Sequence, residues 1–179
     1  KRRKSTRSTL DNIFRCISAW LAPILCFTME EVWISRYGEE IESIHLEDFP
    51  KVNKEWGNNL ETGKWEKIKD IRKVVNGAIE LERKAKKIGS SLEVSPEVYL
   101  DRENFLACAG IDMEDVCITS GITLIEGSSP SDSFILDEVN GVGVLIKPAA
   151  GKKCERCWKI LEEVVSPKSI CSRCDEVVS

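Results

Sequence analysis

The sequence predicts an α+β fold in three successive parts: a helical segment, a long basic helix packed with a small α+β unit, and a C-terminal four-cysteine zinc module. Three observations predict it. Apolar residues recur at helical steps up to residue 88, β-branched runs punctuated by Gly and Ser follow residue 90, and two C-x-x-C pairs lie in the last 30 residues. We expect the parts to span 1–60, 61–148 and 149–179.

Composition places the chain among ordinary globular proteins. Its 179 residues are 42% hydrophobic and 31% charged, which is not a disordered composition. A net charge of −4 argues against a uniformly basic nucleic-acid binder, although local basic surfaces remain compatible with it. The longest apolar stretch, "CISAWLAPILCF", is twelve residues long and contains a proline, so we expect no membrane partner. The start "KRRK" lacks an initiator Met and suggests a piece of a longer polypeptide.

Two helices are predicted at the start of the chain. Apolar residues at three- and four-residue steps indicate a first helix with one buried face, and Pro23 should bend or end it. "TMEE" offers a capping box for a second helix, with Thr28 as the cap and Glu31 reaching back. We expect this helix to end near Gly38. The residues of the first apolar face are Ile13, Cys16, Ile17, Trp20, Leu21 and Ile24.

The clearest element is a long helix over residues 64–88. Gly89 supplies the expected stop signal. The segment carries nine Lys or Arg residues against four Asp or Glu residues. Such a charge run is usually a solvated face, and an RNA or partner surface is the other interpretation. Its apolar stripe consists of Trp65, Ile68, Ile71, Val75, Ala78, Leu81, Ala85 and Ile88.

Residues 90–148 are predicted to form a small α+β unit against the long helix. "SSLEVSPEVYL" reads as extended and is followed by a short helix around "ENFLACAG". "VCITSGITLIEG", "SFILDEV" and "GVGVLIK" are β-branched and bounded by turn residues, which is typical of strands. "KPAAGKK" then reads as a linker into the cysteine module.

The eight cysteines form two sets. Cys16, Cys26, Cys108 and Cys117 are single and lie in apolar surroundings, where a cysteine usually acts as a small buried hydrophobe. The remaining four form two C-x-x-C knuckles that can close a tetrahedral, fully thiolate site. Such a site leaves no position for substrate, so it predicts one structural Zn²⁺; redox chemistry and iron binding are the weaker interpretations. The predicted ligands are Cys154, Cys157, Cys171 and Cys174.

The order of motifs resembles a known family. "WLAPILCFTMEEVW" resembles the anticodon-binding helical region of class I aminoacyl-tRNA synthetases. "SIHLEDFP" and "RKVVNGAIELERKAKKIGSSLEVSPEVYL" look like the segment that follows it in the isoleucine enzymes, and "KCERCWKI…CSRC" resembles the zinc module that ends bacterial-type isoleucyl-tRNA synthetases. The resemblance covers nearly the whole chain in the expected order. "SLEVSPEV" departs from the commoner S-L-E-A of that family.

The resemblance implies a role without catalysis in this chain. Members of the family use ATP to join isoleucine to its tRNA, but the H-I-G-H and K-M-S-K-S signatures of that chemistry are not present here. It therefore implies no catalytic residue and no ATP site in this chain. The implied partners are the anticodon arm of an isoleucine tRNA and the rest of a cytoplasmic, monomeric synthetase.

The same resemblance suggests which residues of the module touch RNA. Unpaired anticodon bases can stack on aromatic side chains, which makes Trp158 a candidate together with Arg156. Lys152, Lys153, Lys159 and Arg173 are candidates for contacts nearer phosphates. Packing beside the zinc knuckle is the other interpretation of Trp158. The charge helps only modestly, because six basic residues face three acidic ones over 152–173.

Two other kinds of protein fit part of the pattern. The zinc-finger tail of a DNA glycosylase has a similar two-knuckle pattern, but it requires an upstream helix–turn–helix region and a catalytic N-terminal proline. A free-standing zinc-ribbon adaptor would bind protein rather than RNA. The W-x-A-P helix and the "IGSSLE" junction favour the synthetase interpretation over both.

Overall fold

The computed structural model describes residues 2–54, 57, 59–164 and 169–178. The chain divides into two compact units, Lys1–Gly57 and Asn58–Ser179. Part of the predicted connector, at 55, 56 and 58, and the basic residue Lys168 lie outside the described residues. None of the described helices combines the length and the apolar character that crossing a membrane requires.

The first unit is built from two helices and a short 3₁₀ turn. Helix α1 spans Arg2–Leu21, α2 spans Cys26–Tyr37, and the 3₁₀ turn covers Ile44–Leu46. The first helix ends before Pro23 and the second is followed by Gly38 at φ +99°, so both predicted helix ends are confirmed. Both follow from backbone chemistry, because proline cannot continue a helix and glycine tolerates positive φ.

The predicted capping box is wrong. Helix α2 already begins at Cys26, after Leu25, which makes no side-chain cap hydrogen bond, and Thr28 lies inside the helix. An acidic residue beside the predicted one has a different role: the Glu30 carboxylate accepts from the Ser43 hydroxyl at 2.8 Å and the Ile44 N–H at 3.2 Å. The carboxylate thus ties α2 to the 3₁₀ turn.

The buried face of α1 also differs from the prediction. Ile13, Ile17 and Trp20, which belong to the predicted face, are exposed in this unit. Contacts with α2 come instead from a neighbouring face, where Phe14 stacks on Trp33 with ring centroids 6.1 Å apart. Small residues allow the approach on that face: Ser18, Ala19 and Ala22 are buried.

The second unit contains a four-stranded sheet in the order β2 (Thr123–Glu126), β1 (Glu97–Leu100), β4 (Val139–Leu145) and β3 (Phe134–Leu136). Strand β1 pairs in parallel with β2 and antiparallel with β4, which also pairs antiparallel with β3. The predicted strands and the helix after β1 are present, whereas "VC" of the second predicted strand ends a short helix that the sequence did not suggest. In chain order the elements are α3 Asn59–Lys84, β1 Glu97–Leu100, α4 Arg102–Ala107, α5 Met113–Cys117, β2 Thr123–Glu126, β3 Phe134–Leu136 and β4 Val139–Leu145.

Helix α3 packs on this sheet and forms the main core of the chain. Its fully buried Ile71, Val74 and Val75 meet Val98 and Val144 of the two central strands. The mixed α+β architecture with a cysteine module is thus confirmed.

The carboxyl end of α3 arises differently from the prediction. The helix ends at Lys84 rather than at Gly89, because Lys86 takes the left-handed conformation at φ +56°. The N–H groups of Lys86 and the next residue donate to helix carbonyls at 2.9 and 3.0 Å, which completes a Schellman motif. Glycine usually takes the left-handed position of this motif, so composition gave no signal that lysine would.

The C-terminal module adds a second, two-stranded sheet. Strands β5 (Lys152–Lys153) and β6 (Ile160–Leu161) pair antiparallel, and helix α6 spans Ser172–Val178. The turn between the strands carries one cysteine pair, and the second pair lies at the start of α6. A short β-hairpin and a short helix therefore bring the two knuckles together.

Candidate zinc centre and nucleic-acid interface

The four knuckle cysteines converge on one point. Their sulfur atoms all lie within 4.8 Å of one another, and the Cys157 and Cys171 sulfurs are 3.7 Å apart. A tetrahedron with Zn–S bonds of about 2.3 Å has an edge of about 3.8 Å, so the spacing suits zinc. Three of the four cysteines are buried and Cys157 is partly exposed. The residues present therefore fit a closed, structural zinc site.

Backbone hydrogen bonds shape the first knuckle. The Trp158 N–H donates to the Cys154 carbonyl at 2.9 Å, and the Cys154 N–H donates to the Lys159 carbonyl at 2.9 Å. These bonds close the turn between β5 and β6. The second knuckle is joined to it, because the Cys171 N–H points at the Cys154 sulfur at 3.4 Å. The second knuckle therefore helps to orient a ligand of the first.

The thiols differ in acidity. Burial opposes ionisation of Cys154, but backbone N–H groups that point at its sulfur outweigh this effect and lower its pKa to about 6. Burial raises the pKa of Cys171 to about 12 and also raises the pKa of Cys157. The lowered pKa favours the thiolate form of Cys154, and zinc would displace the protons of Cys157 and Cys171 on binding.

Trp158 faces outward from the first knuckle. Its backbone is left-handed at φ +66°, and its side chain is 60% exposed. The Lys153 ammonium lies 5.5 Å from the centre of the indole ring, within cation–π range. The exposure favours a role in contacting a ligand over packing beside the knuckle, which is the other interpretation of Trp158.

A shallow groove of about 300 Å³ runs beside the indole. Its lining combines the aromatic ring, an ammonium group and polar groups of the junction after α3. The exposed side chains of Lys152 and Arg156 lie on the same module. The lining residues are Ser90, Leu92, Glu93, Lys153, Trp158 and Ile160.

Lys159, the residue after Trp158, is buried rather than exposed. It is only 8% exposed, and its ammonium donates to Glu114 at 2.9 Å and to Asp115 at 2.7 Å, both on α5. Burial disfavours its charge, but the two carboxylates outweigh this effect and raise its pKa. This geometry argues against the phosphate contact that the sequence suggested for Lys159.

Arg173, in the second knuckle, contacts the same helix. Its guanidinium donates to the second oxygen of Asp115 at 3.2 Å, although the side chain remains mostly exposed. The hydrogen bond from Lys159, together with the charge of Arg173, lowers the pKa of Asp115. Glu114 and Asp115 are therefore functional candidates that sequence reasoning missed, since "DMED" carries no motif.

Several basic residues of α3 and of the turn after it have partners inside the same unit. Lys73 pairs with Glu138 at 2.6 Å, and the Lys64 ammonium donates to the Ala109 carbonyl at 3.0 Å. Further ion pairs on the helix and just after it join Lys67 to Glu103, Arg83 to Glu80, and Lys87 to Glu82. For these five residues the interpretation as a solvated structural face is favoured over an RNA surface.

The four remaining cysteines are not all buried. Cys108 and Cys117 lie in the core, and burial raises the pKa of both, that of Cys117 to about 11. They behave as the small hydrophobes the sequence predicted. Cys16 is only partly buried and Cys26 is exposed, so for Cys26 that prediction is wrong.

Comparison with known proteins agrees with this arrangement. Residues 1–99 match a family model described as the anticodon-binding domain of tRNA ligase, and residues 151–177 match one described as a zinc finger found in FPG and IleRS. The first match covers more than half of the chain. The chain therefore belongs to the family of tRNA-ligase anticodon-binding domains.

Curated relatives make the resemblance more specific. The chain is 45% identical over 177 residues to the isoleucine–tRNA ligase of Ruegeria pomeroyi, covering 97% of this chain and 18% of the relative. It is 47% and 46% identical to those of Bartonella henselae and Agrobacterium fabrum, over 93% and 92% of this chain and 17% of each relative. The predicted resemblance to isoleucyl-tRNA synthetases is confirmed, and the chain spans less than a fifth of their length.

These matches also weigh against the other interpretations. The zinc-finger description names both FPG and IleRS, so the finger alone does not separate a glycosylase from a synthetase. The anticodon-binding match over residues 1–99 does, because it lies outside the finger. Neither the glycosylase tail nor the free-standing adaptor is favoured.

The entry of the chain into the zinc module gives a first testable prediction. Gly151 has φ +113°, and a Cβ there would lie 2.2 Å from the backbone of Leu161. We expect Gly151→Ala to destabilise the module by about 1–3 kcal/mol, because it adds both strain and a clash. Competition with a zinc chelator measures this as a lower apparent zinc affinity.

The matched control is Gly63→Ala, the same substitution within α3. A Cβ at Gly63 would meet nothing within 4 Å, so this change should leave zinc affinity unaltered and stabilise the helix slightly. If Gly151→Ala held zinc as tightly as the unchanged chain, the tight approach at this turn would not matter for the module.

Proposed function

We propose that this chain holds the anticodon arm of an isoleucine tRNA within a longer isoleucine–tRNA ligase. The observation that carries the proposal is an exposed indole, Trp158, fixed on a zinc knuckle beside the Lys153 ammonium. An exposed aromatic ring next to cations suits an unpaired base with its phosphate, because every base offers a face for stacking. The anticodon-binding match and the isoleucine–tRNA ligase relatives support the same role.

The proposed contacts divide by chemistry. Trp158 would stack on a base, with Arg156 beside it, and the exposed Lys152 and Lys153 would contact phosphates. Arg173 also remains a proposed phosphate contact, because its exposed guanidinium has N–H groups that can bind a phosphate while it stays paired with Asp115. The division into 1–60, 61–148 and 149–179 also remains our proposal.

The reaction itself would occur elsewhere in the ligase. We propose that the longer enzyme uses ATP to attach isoleucine to its tRNA, acts as a monomer in the cytoplasm, and binds ATP outside this chain. Zinc would be structural, since four thiolates fill its tetrahedral coordination. The chain would contribute by orienting the tRNA, which determines where the distant acceptor end lies.

Catalytic inactivity is a direct expectation. The isolated chain should show no isoleucine-dependent exchange of pyrophosphate into ATP, because it carries no adenylate-forming signature. The measurement needs the full-length ligase as a positive control under identical conditions. Exchange that copurified with the isolated chain would overturn the assignment of chemistry to other parts of the enzyme.

RNA contact is tested with the full-length ligase. We expect Trp158→Ala to weaken tRNA binding by about 1–3 kcal/mol with the salt dependence nearly unchanged, because it removes stacking and no charge. Lys152→Ala, which removes a proposed phosphate contact, should instead lower the magnitude of the log–log salt slope by roughly 0.7. Binding is measured at several salt concentrations.

Two controls make this comparison specific. Zinc content is determined for each variant, so that loss of the module is not mistaken for loss of a contact. Trp65→Ala removes another exposed indole, on α3, and should leave affinity unchanged. Wild-type affinity and slope in zinc-loaded Trp158→Ala and Lys152→Ala would show that the module does not contact tRNA.

A further inference from the structure

The zinc module contacts helix α5 through both of its knuckles. Lys159 follows the first knuckle and Arg173 lies within the second, yet both donate to the carboxylate of Asp115, at 2.7 and 3.2 Å. The two cations use different oxygens of that carboxylate. Asp115 therefore bridges the two halves of the zinc module and joins them to the α+β unit.

A buried hydroxyl adds a third contact. The Ile160 N–H, at the start of β6, donates to the Ser120 hydroxyl at 2.7 Å, and Ser120 in turn donates to the carbonyl of Leu92. Ser120 is buried. The strand that follows Lys159 is thus held on the same side of the module as the ion pairs. Leu92 also lines the groove beside Trp158, so the contact through Ser120 lies next to that groove.

The direction of Trp158 depends on this docking. Trp158 and Lys159 are adjacent, and the indole lines its groove together with Leu92 and Ile160, which are both part of the contact through Ser120. The ammonium is held on α5 while the indole faces solvent. A change in how Lys159 is held therefore changes how the indole is presented.

We propose that Lys159 and Arg173 are positioning residues, which dock the zinc module on Glu114 and Asp115 and thereby fix the orientation of Trp158 toward RNA. This inference rests on the proposed function for its consequence in tRNA binding, but the docking itself is independent of RNA. It gives the two acidic residues of α5 a role in binding an anionic ligand that they never touch.

The inference makes a prediction opposite in sign to simple electrostatics. Glu114→Gln with Asp115→Asn removes two negative charges near the proposed RNA surface. Charge alone would make tRNA bind more tightly, because phosphates would meet less repulsion. We expect weaker binding instead, by roughly three- to tenfold, since only the docked fraction presents Trp158 correctly. Glu162→Gln, which removes one exposed carboxylate of the same module, should not weaken binding.

Lys159 variants separate docking from a phosphate contact. Lys159→Met keeps an apolar stem and should weaken tRNA binding by a similar factor with little change in salt slope. Lys159→Arg can still pair with both carboxylates and should restore binding to within about twofold. A loss of slope of roughly 0.7 in Lys159→Met would instead identify a phosphate contact and overturn the inference.

A spectroscopic measurement tests docking without RNA. The 179-residue chain is labelled with 5-fluorotryptophan, and the Trp158 resonance is assigned as the one lost in Trp158→Phe. Zinc-loaded Asp115→Asn and Lys159→Met should shift or broaden that resonance, whereas Lys159→Arg and Glu162→Gln should not. An unchanged Trp158 resonance in both docking variants, with zinc bound, would overturn the inference.

The two proposals can fail separately. If Trp158→Ala leaves tRNA affinity unchanged while the fluorine resonance responds to Asp115→Asn, docking is supported and the RNA contact is wrong. If Trp158→Ala weakens tRNA binding, but Asp115→Asn and Lys159→Met change neither the Trp158 resonance nor tRNA affinity, the RNA contact is supported and the docking role is wrong.

Discussion

Cys171→Ser should release zinc and unfold residues 152–178 while α3 and the four-stranded sheet stay folded. Cys171 is buried in the sulfur cluster, and its N–H also supports the Cys154 sulfur. Structural zinc contributes roughly 10–16 kcal/mol to the folding of comparable modules, far more than their small apolar contacts can replace. The core beneath α3 contains none of the four predicted zinc ligands, so the second unit should keep its stability there.

Metal analysis and hydrogen exchange together measure this outcome. We expect one zinc per chain in the unchanged protein and none after Cys171→Ser, with amide protection lost only in the module. Cys26→Ser is the matched control, because Cys26 is exposed and distant in sequence from the knuckles. It should keep both zinc and protection. A Cys171→Ser variant that retained stoichiometric zinc and a protected module would contradict the four-cysteine site.

The four-cysteine cluster could be predicted from sequence because the geometry of each half of it is local. A C-x-x-C turn aims two sulfurs at one point whatever the rest of the fold does, so Cys154 and Cys157 needed no tertiary information. The strands around Val98 and Val144 were predictable for a similar reason, since β-branched runs between turn residues fit a buried sheet. Both features are set by a few consecutive residues.

The docking of the module could not be predicted in the same way. In the sequence, Lys159 is one of six basic residues over 152–173, and nothing distinguishes it from the others. Its burial depends on Glu114 and Asp115, which lie more than 40 residues earlier. No spacing rule links those positions. The exposed apolar face of α1 could not be predicted for a related reason. Periodicity shows that Ile13 and Trp20 lie on one face of the helix, but it does not show whether another part of this chain packs against that face.

The long helix shows how far periodicity alone reaches. The predicted stripe included Ile71 and Leu81, and the structure buries the first completely while leaving the second 51% exposed. Val74 and Ile79, which were not in the predicted stripe, are buried. The helix buries a broader face in its middle than a narrow stripe allows, and Leu81 near its end remains half exposed. Such differences depend on where the partner surface ends.

The difference in burial between Ile71 and Leu81 predicts a large difference in stability when each is replaced by alanine. Ile71→Ala should destabilise the second unit by about 2–5 kcal/mol, because it removes a fully buried side chain between α3 and the sheet and leaves a cavity. Leu81→Ala deletes an aliphatic side chain of the same size from the same helix, yet it should cost less than about 1 kcal/mol because Leu81 is half exposed.

Urea unfolding followed through the methyl resonances of Val98 and Val144 measures the stability of this unit directly. Zinc should remain bound in both folded variants, since neither residue belongs to the sulfur cluster. Equal losses of stability for the two substitutions would contradict the packing of α3 described above, because the argument depends on burial rather than on residue type.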